Sequence, residues 1–102
     1  MGRKMTRERL VAALAMGTIV PLKEDNWRDL ASDFKLVEDM PTGLGGVIML
    51  VRRPLPEGHK LGWALVEDPK PGEKVIRPLA NEKEARALIK DRLAAYERMW
   101  DG

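Results

Sequence analysis

Apolar side chains recur through the last quarter of the chain at the spacing of one helical face. At about 100° per residue they form a single stripe, whose members are Ala85, Leu88, Ile89, Leu93, Tyr96, Met99 and Trp100. Asn81 stands just before this segment and Glu84 follows three residues later, which is the arrangement of a capping box. The pattern predicts a long C-terminal helix that begins after Asn81 and packs its stripe on a core.

A shorter helix and a weak strand are predicted at the start of the chain. Thr6 is a candidate N-cap for a helix over residues 7–16, and Gly17 is a candidate stop signal. The β-branched stretch 18–22 follows. Pro21 lies within it and favours an edge strand, because proline has no N–H to donate to a neighbouring strand.

The segment after this strand fits two interpretations. Trp27 and Phe34 are two helical turns apart and belong on one helical face, yet the end of the segment also fits a strand. We favour a short helix over 26–32 followed by a strand at about 34–38.

The middle of the chain has the pattern of strands joined by hairpins. Residues 47–51 are apolar at every position, so both faces of this strand should be covered. The connections between the predicted strands are too short for the crossovers of a parallel sheet. We predict a hairpin loop over 52–60, a strand over 61–66, a turn over 67–73 and a strand over 74–79.

These elements predict an α+β fold in a single domain of 102 residues. We expect an antiparallel meander of about four strands, with the long C-terminal helix and a short N-terminal helix packed on one face of it. Residues 1–5 are expected to form a flexible basic arm. No apolar run approaches the ~18–20 residues that cross a bilayer, and there is no cysteine. We therefore expect a cytoplasmic protein that does not enter membranes.

Three glycines, Gly43, Gly45 and Gly46, stand directly before the central apolar strand. A phosphate-binding loop places its backbone N–H groups at the start of a helix, and its sequence forms continue in Gly-x-x-Gly or Gly-Lys-Ser/Thr. Here the glycines lead into a strand and neither continuation is present. The sequence predicts a turn with positive φ angles and no bound nucleotide.

Side chains for catalysis are scarce. His59 is the only histidine and Ser32 the only serine, and no motif brings a nucleophile to a base. One histidine with carboxylates is an unusual zinc site. We expect no catalytic residue, no metal site and no cofactor. An enzyme built on carboxylates, arginine and backbone groups remains a further alternative.

The formal net charge is only +2, but cations cluster at the start of the chain and around the predicted hairpin. They make a candidate basic patch for nucleic acid, which consists of Arg3, Lys4, Arg7, Arg9, Arg52, Arg53 and Lys60. Double-stranded RNA binders carry cations at the start of the groove-facing helix. Glu82 and Glu84 occupy the start of the C-terminal helix here, which counts against nucleic acid as the partner.

Three residues are candidates for a protein interface. Arg92 lies at the centre of the helical apolar stripe, so its charge needs water, a carboxylate or a carbonyl as partner. Met49 lies on a strand with two apolar faces, and Trp100 lies near the end of the chain. If one long helix covers a single face, the other face remains exposed unless the segment with Trp27, Leu30 and Phe34 covers it, which is the monomeric alternative. An apolar patch that stays exposed marks an interface. We therefore predict a homodimer and a small, non-catalytic module for protein interaction or regulation; nucleic-acid binding through the basic patch is the alternative.

Overall fold

A computed structural model describes residues 4–43, 45–55, 61–69 and 71–101, the side chains of Trp100 and Asp101 excepted. In chain order the elements are α1 (Arg7–Ala15), β1 (Val20–Lys23), α2 (Glu24–Leu30), a 3₁₀ turn (Ala31–Asp33), β2 (Lys35–Pro41), β3 (Val47–Pro54), β4 (Leu61–Glu67), β5 (Glu73–Leu79) and α3 (Glu82–Asp101). The expected α+β class is confirmed.

All strands within the described ranges belong to one five-stranded antiparallel sheet in the order β1-β5-β4-β3-β2. The run from β2 to β5 is the predicted meander. The fifth strand is the weak stretch around Pro21, which returns to pair with β5 at the far edge. Strands β1 and β2 are therefore the two edges, and β4 lies at the centre.

The prediction that the helices share one face is wrong, because they cover both. On one face α1 and α2 bury Leu10, Leu14, Trp27 and Leu30 against the alternate residues Val51, Ala64, Val66 and Ile76 of the sheet. On the other face α3 buries Ala85 and Ile89 against Ile48, Leu50 and Leu65. Since β3 is apolar on both sides, each face requires its own cover, and the N-terminal helices supply the second one.

The short helix and strand favoured for the ambiguous segment are confirmed as α2 and β2. The helix begins earlier than expected, at Glu24, with no side-chain cap. The side chain of Asn26, in the first turn of this helix, accepts a hydrogen bond from the N–H of Met5 and donates one to the carbonyl of Met5, at 2.7 and 3.0 Å. That pair fastens residue 5, at the end of the expected arm, to α2.

The predicted helix signals are confirmed at α1 and α3. Thr6 accepts from the N–H of Arg9, and Gly17 has a φ of +80°. Asn81 accepts from the N–H of Glu84, whose carboxylate accepts in turn from the N–H of Ala80. No helix within the described residues is long and apolar enough to span a membrane.

Two predicted connections are shorter in the structure. Strand β3 runs on to Pro54, so Arg52 and Arg53 are strand residues, while residues 56–60 lie outside the described ranges. Glu67 ends β4 and Glu73 begins β5, which leaves only the residues between them for the turn. The glycine segment joins β2 to β3 as predicted, with positive φ at Gly43 and Gly45.

Candidate protein-binding site

The outer edge of β2 is free among the described residues, where β3 is its one neighbour in the sheet. Its seven residues are exposed except for Met40, which is half-buried. The exposed large apolar side chains of β2 are Leu36, at 55 % exposure, and Val37, at 42 %. A free strand edge is a row of unpaired N–H and C=O groups that a further strand can complete.

The hydrogen bonds at the hairpin show which backbone groups of β2 face outward. Thr42 donates its N–H to the carbonyl of Gly46 at 3.0 Å, so this pair is hydrogen-bonded. Bonded and non-bonded pairs alternate in an antiparallel ladder. The N–H and C=O of Asp39 therefore point to the free edge. The backbone nitrogen of Pro41 points the same way, so its lack of an N–H removes no hydrogen bond to β3.

A bulge interrupts β2 at Val37. Leu36 pairs with Val51 and Glu38 pairs with Leu50, so Val37 has no partner on β3. Bulges re-aim side chains and limit how far an edge can pair. The regular part of the free edge is therefore the stretch from Glu38 to Pro41.

Helix α3 lies closest to β4 and β5 in the sheet, and its side chains form a groove with this part of β2 and the hairpin after it. Near the start of the helix, Nη1 of Arg86 lies 3.3 Å from a carboxylate oxygen of Glu38. Farther along, the helix and the β2–β3 hairpin line an open groove with a volume of about 750 Å³. Its lining is formed by Pro41, Thr42, Gly43, Lys90, Leu93, Ala94 and Glu97.

Two charges flank the apolar part of this groove. Lys90 and Glu97 are both exposed and stand on either side of Leu93 and Ala94. Neither forms an ion pair within the described part of the chain. At ~1.5 Å of rise per residue, their seven-residue separation places them about 10 Å apart along the helix.

A second group of charged side chains lies between α3 and the sheet. Glu67, at 2 % exposure, accepts hydrogen bonds from Nε and Nη2 of Arg92 at 3.1 to 3.2 Å and from the hydroxyl of Tyr96 at 3.0 Å. Nε of Arg77 lies 3.3 Å from the same carboxylate. The predicted partner of Arg92 is thus confirmed as a carboxylate, and the pair fastens α3 to β4.

The environment of this cluster changes two of its pKa values. Hydrogen bonding to Glu67 raises the pKa of Arg92 above its ordinary value. Burial, and next the negative charge of Glu67, raises the pKa of Tyr96 above its ordinary value of 10.0. Both shifts favour the protonated side chains that bind the carboxylate.

A cavity of about 480 Å³ opens beside the cluster, at the end of the sheet. The segments that line it are the β2–β3 hairpin, the β4–β5 turn, the start of α2 and the C-terminal half of α3. Its charged groups already have partners in the protein. Arg92 binds Glu67, and Lys74 lies between Asp68 and Glu24. These charges therefore serve the fold.

The predicted interface residues do not form one surface. Met49 is half-buried against the core under α1 and α2, and Arg92 is bound to Glu67 on the opposite face. The side chain of Trp100 lies outside the described residues. Its neighbour Met99 is 64 % exposed. The homodimer was predicted because one face of the sheet was expected to be exposed. In the structure the N-terminal helices cover that face.

The described cations of the predicted basic patch lie apart. Lys4 is 3.4 Å from Asp25 and Arg7 is 2.8 Å from Asp33, both on the face of α1 and α2. Arg9 is exposed on α1. Arg3 and Lys60 are outside the described residues.

The two arginines on β3 point to opposite faces of the sheet. Arg52 stacks on Trp63 at 4.5 Å and donates to the carbonyls of Leu61 and Gly62, on the α3 side. Arg53 is buried on the other side, where it donates to the carbonyl of Trp63, and its Nη1 has no hydrogen-bond partner among the described residues. Burial lowers the pKa of Arg53.

The sequence analysis missed the groove residues. Lys90 and Glu97 looked like ordinary charges on a solvated helix, and no pattern in the chain says that α3 runs beside an edge strand. Strand β2 was predicted at about 34–38, but nothing in the local pattern marked it as an edge strand.

Among the described residues, no group of three or more histidine, aspartate or glutamate side chains could hold a metal ion. Comparisons of the chain with protein-family models, with curated proteins and with solved structures found no match in any of the three. The function therefore has to be inferred from the geometry of the chain's own residues.

Proposed function

We propose that this protein is a non-catalytic interaction module that binds an extended segment of another polypeptide along the free edge of β2. The observation that carries the proposal is the free edge itself, which is regular from Glu38 to Pro41 and lies next to a groove against α3. In strand addition the backbone bonds of the edge supply affinity and a neighbouring pocket supplies specificity.

The chemistry around β2 supports recognition without catalysis. Asp39 presents both a donor and an acceptor to the incoming strand, and Leu36 and Val37 offer apolar surface at the start of the edge. The opposite edge is less suited to the same role, since β1 has four residues and includes Pro21. Short edge strands with proline are a common protection against pairing.

The test is a selection of short extended peptides against the whole chain, followed by affinity measurements on two variants. Val37→Lys puts a charge on the free edge and should weaken binding about tenfold or more, since lysine on an edge strand opposes pairing. Met16→Lys is the matched control, because Met16 is 83 % exposed on the loop after α1. It should bind like the parent.

Equal loss in both variants, or no loss in either, would contradict a site on β2. Circular dichroism and thermal midpoints of both variants must match the parent, so that a change in affinity is not a change in folding.

The homodimer remains a prediction. With both sheet faces covered, the end of α3, which carries Trp100, is the other predicted contact surface, and Met99 beside it is exposed. Light scattering at low micromolar concentration tests it. A mass near 11.5 kDa indicates a monomer, and a mass near twice that value, lowered by Met99→Asp, indicates a dimer through the helix end.

A further inference from the structure

We infer that the segment recognised at β2 carries a large apolar residue flanked two positions before by a basic residue and two positions after by an acidic one. This inference rests on the proposed function and specifies the partner's chemistry. It follows from the shape and the charges of the groove between β2 and α3.

The apolar residue is required by the wall of the groove. Leu93 and Ala94 are half-buried and line the groove together with Pro41. An added strand lies about 4.8 Å outside β2 and directs every second side chain to the α3 side of the sheet. A large apolar side chain from that strand can therefore enter the space between the helix and the hairpin and contact the apolar wall.

The flanking charges are required by Lys90 and Glu97. These side chains stand about 10 Å apart along the helix, on either side of the apolar wall, and neither has an ion-pair partner within the described residues. Side chains at two positions before and two after a central residue of a strand are about 13 Å apart and lie on one face. They can reach both helix charges.

The order of the charges follows from the direction of the elements. Arg86 contacts Glu38, while Glu97 lines the groove with the hairpin residues after Pro41. Helix α3 and β2 therefore run in the same direction. An antiparallel partner strand, which continues the pairing of this sheet, meets Glu97 first and Lys90 later. Its basic residue precedes the apolar one, and its acidic residue follows.

The probes are three labelled peptides with the same central leucine on a threonine background. The first has lysine two positions before the leucine and glutamate two positions after it, the second has these charges exchanged, and the third has glutamine at both positions. Fluorescence anisotropy with the whole chain should show the first peptide binding about tenfold more tightly than the second, since two exposed pairs change from attraction to repulsion. Added salt should reduce the difference.

A double charge reversal in the protein shows whether the preference comes from the groove, and not from a difference in solubility or conformation between the peptides. Lys90→Glu combined with Glu97→Lys keeps the net charge and should invert the preference between the first two peptides. The matched control combines Glu8→Arg with Arg9→Glu on α1, on the opposite face of the sheet. It should leave the preference unchanged.

The outcomes separate the inference from the proposed function. If both charged peptides bind equally and Val37→Lys abolishes binding, the strand-addition site stands and the charge pattern is refuted. If Val37→Lys has no effect on peptide binding, both the site on β2 and the inferred charge pattern are refuted. Failure of all three peptides to bind at millimolar concentration would overturn the inferred pattern, because the pattern would then not suffice for recognition.

Discussion

At the scale of single residues, the most consequential side chain is Glu67. Its carboxylate is buried between β4 and α3 and contacts Arg92, Arg77 and Tyr96. Removal of charge from one partner of a buried pair leaves the other partners desolvated without compensation. The sequence predicted that Arg92 needed such a partner. It did not identify Glu67, which belongs to one of several acidic doublets beside turns.

We expect Glu67→Gln to lower the free energy of unfolding by about 3 kcal/mol, at the low end for a broken buried pair because Arg92 and Arg77 reach solvent on one side. Glu38→Gln is the control, since the pair of Glu38 with Arg86 is about half exposed; it should cost no more than about 0.5 kcal/mol. Urea unfolding measures both. Equal effects would show that burial of Glu67 contributes little.

Tyr96 gives the cluster a dependence on pH. Its pKa in the folded protein is raised above the ordinary value of 10.0, chiefly by burial and next by Glu67. The stability that it contributes is therefore fully present below pH 10.0 and is lost as the pH rises through the folded-state pKa. Below that range the phenol keeps its proton and its hydrogen bond to Glu67.

Urea unfolding of the parent and of Tyr96→Phe from about pH 7 to about pH 11 checks this dependence. We expect the parent to be more stable by about 1 kcal/mol at neutral pH, the typical value of one hydrogen bond, and the difference to shrink above pH 10.0. A constant difference across the whole range would contradict the account of Tyr96.

At the scale of elements, the packing of β3 against β4 depends on the side chain of Arg53, which lies over Gly62 on the neighbouring strand. A Cβ atom built on Gly62 would lie 3.0 Å from Cζ of Arg53, whose side chain is buried over it. The contrast between small and large residues on alternate positions of β4 was visible in the sequence. The arginine that uses the space was not, because residues 52–60 looked like an exposed loop.

Gly62→Ala should therefore cost about 1–2 kcal/mol of stability, which is the usual penalty for overpacking. In the background of Arg53→Ala the clash is absent, and the same change should be neutral or stabilising, because alanine suits a strand better than glycine. A double-mutant cycle by thermal or urea unfolding measures the coupling. Equal costs in the two backgrounds would show that Arg53 does not occupy the space over Gly62.

Element prediction succeeded where the chain has strong local signals and failed where distant segments decide. The caps at Thr6 and Asn81 and the two-sided burial of β3 were all predicted. Cover of the second face by the segment that contains Trp27 was only an alternative, because amphipathic helices carry no label for the face that they will cover. The extension of β3 to Pro54 also depends on pairing with β4, which local sequence does not encode.

At the scale of the whole molecule, helices cover both faces of the sheet. The two edge strands are therefore the parts of the sheet that stay accessible to a partner. Strand β1 is short and contains proline, so β2 is the edge that offers a regular stretch of unpaired backbone. The charge pattern along α3 becomes informative only after the fold places that helix beside β2. The sequence alone predicted an interaction module without showing where it binds.

The amide hydrogen of Asp39 tests the binding of a strand at β2 most directly, by hydrogen exchange measured with NMR. In the free protein this N–H faces solvent and should exchange rapidly, while the amides of Glu38 and Met40 are protected by their pairing with β3. At a peptide concentration 100 times the dissociation constant, exchange at Asp39 should slow about 100-fold. An Asp39 amide that still exchanges at the free rate in the bound state, or protection confined to other segments, would contradict the account.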